Sequence, residues 1–511
     1  MTRSTQNRWV LAATILGSSM AFIDSTVINV ALPVMQQQLH ATVSDTQWIV
    51  DAYLLVLSAF ILAGGSLGDR LGRVRVFGIG VALFAVASIA CGAARSTLEL
   101  IIARAVQGGG AALLVPGSLA IITDVFPREE RGRAIGTWSA LTALSVIAGP
   151  LLGGVLVQTI SWRAIFLINA PIAAVVLWIV WRHMPRSKTS SGSVDWIGTI
   201  LVSAGLGGVV YALIEAPAKG LRGVAVAAGV GVAALIAFGV VEQHVGDPIV
   251  PFKLFRSPSF SGANLLTLLL YGALSAGTFL LPFNLIQVQG YPPARAGAAF
   301  LPFVVTMSLL SRFTGALADR IGARPLLIVG PIIAGSGLAL LALPGIGGSY
   351  WTTFFPGVLV LGIGMAITVA PLTTTVMTSI EDEQYTGAAS GINNAVARTA
   401  GLLAVALLGV TAVSVFGGDL DRRLAAMHVP PQLRQAIDAQ RVRLAEATVP
   451  PGVDAQERAR IERAIREAFV HAFRVNVIGA GLLAMLSAGG ALLVRLRVPG
   501  EERRAVAQSV D

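Results

Sequence analysis

Three ionisable residues, Asp24, Arg104 and Asp51, lie within or at the edge of long apolar stretches. A charged side chain in hydrocarbon costs about 2.5–3.5 kcal/mol on insertion scales, so it needs a cavity or a partner. Asp24 is about 12 Å from one end of its stretch, and Arg104 about 9 Å from the same side of its own, at 1.5 Å per residue. Burial disfavours a carboxylate, and a neighbouring guanidinium favours it. Two such groups that move apart and together can take up and release a proton. The same two residues can also be a fixed structural ion pair, and both readings stand at this stage. Asp51 is placed shallower, in the first turn of its stretch, as an interfacial, hydrated carboxylate.

A second pattern concerns movement. Gly65-Ser66-Leu67-Gly68-Asp69-Arg70-Leu71-Gly72-Arg73 returns about 250 residues later as Gly315-Ala316-Leu317-Ala318-Asp319-Arg320-Ile321-Gly322-Ala323. Each copy joins two apolar stretches, with an Asp-Arg pair where two helices must turn and pack closely. A repeat of this kind in a very apolar chain points to two homologous halves of a transporter. Gly65, Asp69, Arg70, Gly72, Arg73, Asp319 and Arg320 are the candidate gating turns. Asp69 is expected near the N-terminus of the third helix, where the helix dipole favours a carboxylate, or paired across the bundle. An ordinary basic turn is the other reading. Gly149, Pro150, Gly153 and Gly154 permit a bend and close helix approach. Asn29, Asn284, Gln287 and Arg398 are candidates to line a cavity, and Arg312 lies near the inner end of its stretch.

The elements that position these residues are membrane helices. The chain has 511 residues, 55% hydrophobic and 13% charged, with mean hydropathy +0.75 and 56 glycines. A soluble domain carries about 25% charged residues. Apolar runs of about 20 residues, a membrane-spanning length, recur from residue 10 to residue 494, about fourteen in all. The first run resembles a signal peptide, but it is too long, contains Asp24 and Asn29, and shows no cleavage site. It is read as a retained span. The net charge of +10 does not indicate nucleic acid, because the arginines sit in short loops with no basic face or stacking aromatics. Cys91 is alone and the five histidines lack ligand spacing, so no metal site is expected. No cofactor is expected either.

Arginine and lysine crowd alternate loops, roughly nineteen against five. That bias places both termini in the cytoplasm. The Glu381-Asp382-Glu383 loop departs from it, but acidic residues contribute little to orientation. The long loop 417–471 then falls outside. Its last part reads as a surface helix leading into the final span, with Asp454 and Glu457 as a capping pair and Ile461, Ile465 and Phe469 on one face. Docking of a partner is the minority reading. Glu215 is expected to be solvated at the outer end of the insert.

The chain resembles the fourteen-span drug:proton antiporter family of the major facilitator superfamily. The resemblance rests on Ile23 through Pro33, both Gly-Asp-Arg turns, Arg104 through Ala112, Gly149 through Gly154, Trp162 through Pro171, and Gly391 through Gly401. It implies an all-α integral membrane fold with two six-helix bundles and a two-helix insert. The expected divisions are residues 1–185, an insert at 186–258, a second bundle at 259–494 and a tail at 495–511. The implied activity is export of hydrophobic or cationic toxic compounds across the cytoplasmic membrane in exchange for protons. Asp24, Arg104 and Asp51 are the candidate coupling residues, read from their own positions in the apolar stretches. A dedicated metabolite or lipid exporter is the alternative within the superfamily. A membrane enzyme or receptor would need a catalytic constellation or soluble domain, and neither is evident. No Walker-type motif indicates ATP. The expected partners are a small-molecule substrate, protons and the bilayer, with a membrane-fusion protein left open. Two departures from the family pattern stand out: Ala323 replaces a basic residue in the second turn, and Asp51 replaces an uncharged one.

Overall fold

The computed structural model describes residues 3–185, 195–245, 248, 250–380 and 386–494, and no strand occurs among them. The Ser-rich approach to the insert, the Glu381-Asp382-Glu383 loop and the tail lie outside the described residues.

The helices are α1 (Arg3–Gln38), α2 (Val43–Leu71), α3 (Arg73–Ala93), α4 (Thr97–Val125), α5 (Arg128–Thr159), α6 (Ala164–His183) and α7 (Trp196–Glu242). They continue as α8 (Pro258–Val288), α9 (Pro293–Ala298), α10 (Leu301–Ile321), α11 (Ala323–Leu340), α12 (Phe354–Thr378), α13 (Thr386–Ala426), α14 (Pro431–Asp438) and α15 (Ala455–Ser487). Thirteen apolar stretches among the described residues are long enough to cross a membrane. One of them, α7, runs 47 residues. At 1.5 Å per residue that is about 70 Å, over twice the ~30 Å hydrocarbon thickness. It breaks at Gly220, whose φ of 69° lies in the left-handed region. The α7 stretch therefore supplies two crossings, and the expected fourteen stand. Its limbs expose Ile197, Ile200, Leu221, Val226 and Ile236, as a surface facing lipid requires.

Short polar signals set the helix ends. Thr42 caps α2 in a reciprocal box: Asp45 N–H donates to Thr42 Oγ1 at 3.1 Å, and Thr42 N–H donates to Asp45 Oδ2 at 2.8 Å. This starts α2 five residues before the apolar run expected at residue 48, which places Asp51 two turns inside the helix. Ser96 caps α4 by accepting Glu99 N–H at 3.2 Å. At the two turns, Gly72 has φ 97° and Gly322 has φ 85°. Only glycine takes that backbone without strain, so each turn joins two helices in one residue.

Two compact units divide the chain. One contains residues 1–249, 279–298 and 405–472; the other contains 250–278, 299–404 and 473–511. In the second unit, α11 and α12 meet backbone to backbone: a Cβ on Gly337 would stand 2.7 Å from Leu361 Cα, and one on Gly364 would stand 2.6 Å from Ala334 Cα. Its buried polar centre is Asn264 and Thr267, which accept from the half-buried Asn393 amide at 3.1 Å and 2.8 Å.

The first unit holds α1–α7 and the segment 417–471. That segment is folded and stapled by ion pairs. Arg423 bridges Asp419 at 2.7 Å and Glu467. Arg441 bridges Asp438 at 2.9 Å and Asp421 at 3.1 Å. Asp454 accepts Gln456 N–H at 2.9 Å at the start of α15. The expected surface helix is continuous with the last span. Ile461, Ile465 and Phe469, which share one of its faces, are fully buried.

Candidate coupling site

The site forms beside α1, where α4 packs against α2 and α3 without side chains between their backbones. A Cβ on Gly108 would stand 3.2 Å from the Tyr53 carbonyl carbon, and one on Gly110 would stand 2.6 Å from Phe84 N. This close approach brings Arg104 of α4 and Asp24 of α1 together at full burial, 1% and 0% exposed. Arg104 Nη1 donates to Asp24 Oδ2 at 2.5 Å and to Gln107 Oε1 at 2.7 Å, and Nε donates to the Ile49 carbonyl at 3.0 Å. The guanidinium lies 4.3 Å over the Tyr53 ring, a favourable cation–π geometry. Gln107 Nε2 donates to Asp24 Oδ1 and to Ser88 Oγ, both at 2.8 Å. Asn169 Nδ2 approaches the same carboxylate at 3.5 Å and Ser88 at 3.3 Å.

Both expected partners therefore meet, with both carboxylate oxygens of Asp24 bonded. Sequence reasoning missed three members. Gln107 is three residues from Arg104, one turn along the same helix face, and that spacing could have found it. Asn169 lies in the Trp162–Pro171 segment that carries the resemblance but was not singled out, and Ser88 carried no signal beyond lying in an apolar stretch. A buried ion pair is stable only while all its groups remain bonded; removing one partner costs about 3–5 kcal/mol. The pair is thus poised: any movement between α1 and α4 leaves a charge that must find a new partner or a proton.

Asp51 departs from expectation. It is 0% exposed, not interfacial. Neither carboxylate oxygen has a hydrogen-bond partner among the described residues. The reason is the Thr42 cap, which leaves Asp51 eight residues and about 12 Å into α2. Glu215 also departs from expectation. It is 17% exposed by side chain, accepting from Trp48 Nε1 at 3.0 Å and Ser44 Oγ at 3.2 Å. Lys219 is 3.2 Å away. The insert is fastened to α2 through these bonds, which withdraw the carboxylate from water.

The first gating turn is built around Arg73. Its guanidinium reaches Asp69 at 2.7 Å and Asp124 of α4 at 2.6 Å, and also donates to the Ala120 carbonyl at 3.3 Å. Asp69 lies in the last turn of α2, not at the start of α3, because α3 begins only at Arg73. Both carboxylates thus sit at helix C-termini, where the dipole disfavours them, and Arg73 offsets that. Asp124 was not anticipated. Arg70 is exposed, and Gly65 packs loosely near Pro116. At the second turn Arg320 is exposed, and the side chains of Asp319 and Arg312 lie outside the described residues.

The glycines of α5 touch two helices. A Cβ on Gly153 would stand 2.6 Å from Val27 of α1, and one on Gly154 would stand 2.8 Å from Ala294 of α9. A Cβ on Gly149 would collide with Thr26, and one on Gly297 of α9 with the Pro150 carbonyl. Among the cavity candidates, Asn29 and Arg398 are half-buried. Asn284 is buried and accepts from Gln289 at 3.0 Å. Gln287 donates to Gln36 at 2.9 Å. Asn284 and Gln287 fall in a π-helical turn, residues 284–288.

Comparison with known proteins agrees with this architecture. The chain is 32% identical over 507 residues to the tetracenomycin C resistance and export protein of Streptomyces glaucescens, covering 96% of this chain and 92% of that one. It is 35% identical over 406 residues to the methylenomycin A resistance protein of Bacillus subtilis, covering 78% and 86%. A crystal structure of a bacterial homolog of the human lysosomal transporter Spinster, in an inward-facing and unoccupied conformation, superposes with a TM-score of 0.67. It covers 96% of this chain and 99% of that one at 18% identity, a likeness of fold. The family model described as Major Facilitator Superfamily matches residues 14–405, so the chain belongs to that superfamily of multi-pass membrane transporters and is not an enzyme.

Proposed function

We propose that this transporter exports hydrophobic or cationic toxic compounds across the cytoplasmic membrane in exchange for protons. The observation that carries the reading is the buried Asp24–Arg104 pair, 2.5 Å apart at 0% and 1% exposure. A solvated pair would be inert to movement, whereas a desolvated one couples helix displacement to charge. When α1 and α4 part, Arg104 no longer compensates Asp24, and a proton or a cationic substrate can take its place. One carboxylate cannot be neutralised by a proton and a cationic substrate at once, so substrate and proton exclude each other. Each charge moved adds about 2.3 kcal/mol per 100 mV of membrane potential to the cycle.

The resistance and export relatives support the direction of transport. The arginine bias supports cytoplasmic termini with segment 417–471 outside. Residues 1–185 and 259–494 are read as the two six-helix bundles and 186–258 as the insert. The α5 glycine contacts and the Asp69–Arg73–Asp124 turn serve as the parts that open and close. A dedicated exporter of one natural product is the second reading, favoured by relatives named for single antibiotics.

Dye and drug efflux into everted vesicles under an imposed pH gradient tests the reading. Uphill transport of several unrelated cations is expected in the wild type and absent in Asp24→Asn. Transport of a single compound class would favour the second reading. Uphill transport unaffected by Asp24→Asn would remove the coupling role.

A further inference from the structure

Two membrane carboxylates of the first unit live in opposite conditions. Asp24 accepts bonds from Arg104 and Gln107, with Asn169 nearby. Asp51 is equally buried and has no hydrogen-bond partner among the described residues. An ionised carboxylate cannot persist that way, because burying an unpaired charge far outweighs any single contact. Asp51 is stable there only as the neutral acid.

Its surroundings on the helix show how it is closed off. Gln47 precedes Asp51 by four residues, so the two share a face of α2, with Gln47 one turn nearer the end that begins at Thr42. Gln47 is 1% exposed. Its amide donates to the Val405 carbonyl and, at 3.5 Å, to the Ala406 carbonyl of α13. Gly409 makes room for it: a Cβ there would stand 2.6 Å from the amide carbon. A cavity of about 20 Å³ is lined by Ser44, Gln47, Pro217, Gly409, Val413 and Val442. It has room for about one water. Asp51 does not line it, and Gln47 does. The Gln47 amide thus borders a space large enough for water, and Asp51 follows it one turn further along α2.

The other ionisable groups on elements against α2 are engaged elsewhere or buried apart. Asp24 and Arg104 bind each other. Cys91 of α3 approaches Gln107 at 3.6 Å. Asp45 is used in the Thr42 cap, Glu99 accepts Arg95 N–H, and Glu215 is bound to Lys219, Trp48 and Ser44. On the short 3₁₀ turn Arg441–Glu446, Arg441 pairs with Asp438 and Asp421. The Arg443 carbonyl accepts from Gln36 at 3.2 Å, and burial pushes Glu446 above the ordinary glutamate range. On α13, Asp419 pairs with Arg422 and Arg423. Arg398 lies seven residues before Val405, about 10 Å along the helix.

Building on the proton-exchange reading, we propose that Asp51 is a second, separate proton-loading carboxyl. It is sealed by the Gln47 amide over Gly409 and loaded from the Thr42 end of α2, the external face on the arginine bias, when α2 and α13 part. In this conformation Asp51 holds the proton while Asp24 remains the ion-paired anion.

The test uses the full-length protein in proteoliposomes, with ethidium as the probe. A second readout is the infrared carbonyl band of protonated carboxylic acids, followed during exchange into heavy water. Ethidium transport in the wild type should depend on the pH at the external face. Asp51→Asn should lose that dependence and the slowly exchanging carbonyl band; Asp51→Glu should restore both. Asp24→Asn should keep the band. Gln47→Ala should keep the band but speed its exchange, because the seal is gone. A coupled wild type whose Asp51→Asn variant retains normal external pH dependence overturns the proposal alone. So does a band that survives in Asp51→Asn. A wild type that transports ethidium but ignores a pH gradient overturns the proton-exchange reading, and this proposal with it.

Discussion

Breaking the Asp24–Arg104 pair from either side should cost far more stability than removing both residues. Arg104→Met leaves Asp24 at 0% exposure with its strongest donor gone, and Asp24→Leu leaves Arg104 at 1% exposure facing an apolar group. An uncompensated buried charge costs about 3–5 kcal/mol. The double variant removes both charges and fills the space with apolar volume. What it loses is the bond from Arg104 Nε to the Ile49 carbonyl, the bonds that Gln107 makes with Arg104 and with Asp24, and the contact with the Tyr53 ring. The Ile49 carbonyl lies within α2 and keeps its helical donor. Gln107 keeps Ser88 at 2.8 Å. At about 0.5–1.5 kcal/mol for each ordinary hydrogen bond, the double variant should lie about 1.5–4.5 kcal/mol below the wild type. The coupling energy should therefore exceed about 1.5 kcal/mol, as expected for groups in direct contact within a desolvated network. Reversible unfolding in mixed micelles of lipid and detergent measures all four corners of the cycle. Vesicle transport on the same proteins separates structure from coupling: the double variant should recover stability and remain unable to drive uphill export. Single variants within about 1 kcal/mol of the wild type would refute the reasoning, because exposed pairs are worth only that much. The site would then be reached by water.

Three further outcomes follow from the geometry. Gly297→Val should impair transport by wedging α9 away from the Pro150 carbonyl of α5, read as a fall in rate at normal insertion; an unaffected rate would show that this contact does not move. Arg73→Ala should lower transport while changing stability by less than about 1 kcal/mol, because its partners Asp69 and Asp124 are half exposed, at 49% and 46%. Wild-type rates in that variant would reduce the turn to a passive connector. A reporter fused near Gly452 should score as external, and a cytoplasmic signal there would contradict the fourteen-span orientation.

The sequence made the membrane fold legible because its signals are local and redundant. Run length identifies each span without knowledge of its neighbours, and even the merged α7 shows its division at Gly220. The Asp24–Arg104 pair was legible for a related reason: an apolar setting leaves charged residues few ways to survive. What was not legible depended on where helices begin and on what crosses between them. Asp51 was read as hydrated because hydropathy alone starts its span at residue 48, whereas a polar cap at Thr42 starts the helix at Val43. Polar caps extend helices beyond their apolar runs, and a depth counted from hydropathy misses that extension. Ser88 was invisible because a small polar residue in an apolar run has no periodicity of its own.

The repeated turn shows how far a repeat can be trusted. Both copies use a left-handed glycine, Gly72 and Gly322, to join two helices in one residue, so the backbone is duplicated. The side-chain chemistry is not. Arg73 holds Asp69 and Asp124 together, and the position following Gly322 is Ala323, which can donate nothing from its side chain. A substitution that removes the bridge from the first turn therefore has no counterpart in the second. If the bridge is what latches the turn, introducing arginine by Ala323→Arg should slow opening at the second turn and lower the transport rate. If the turns serve only as connectors, that change sits at the half-buried start of α11 and should leave the rate within error of the wild type. Measured beside Arg73→Ala in the same vesicles, the pair of results assigns the latch to the side chain or to the backbone.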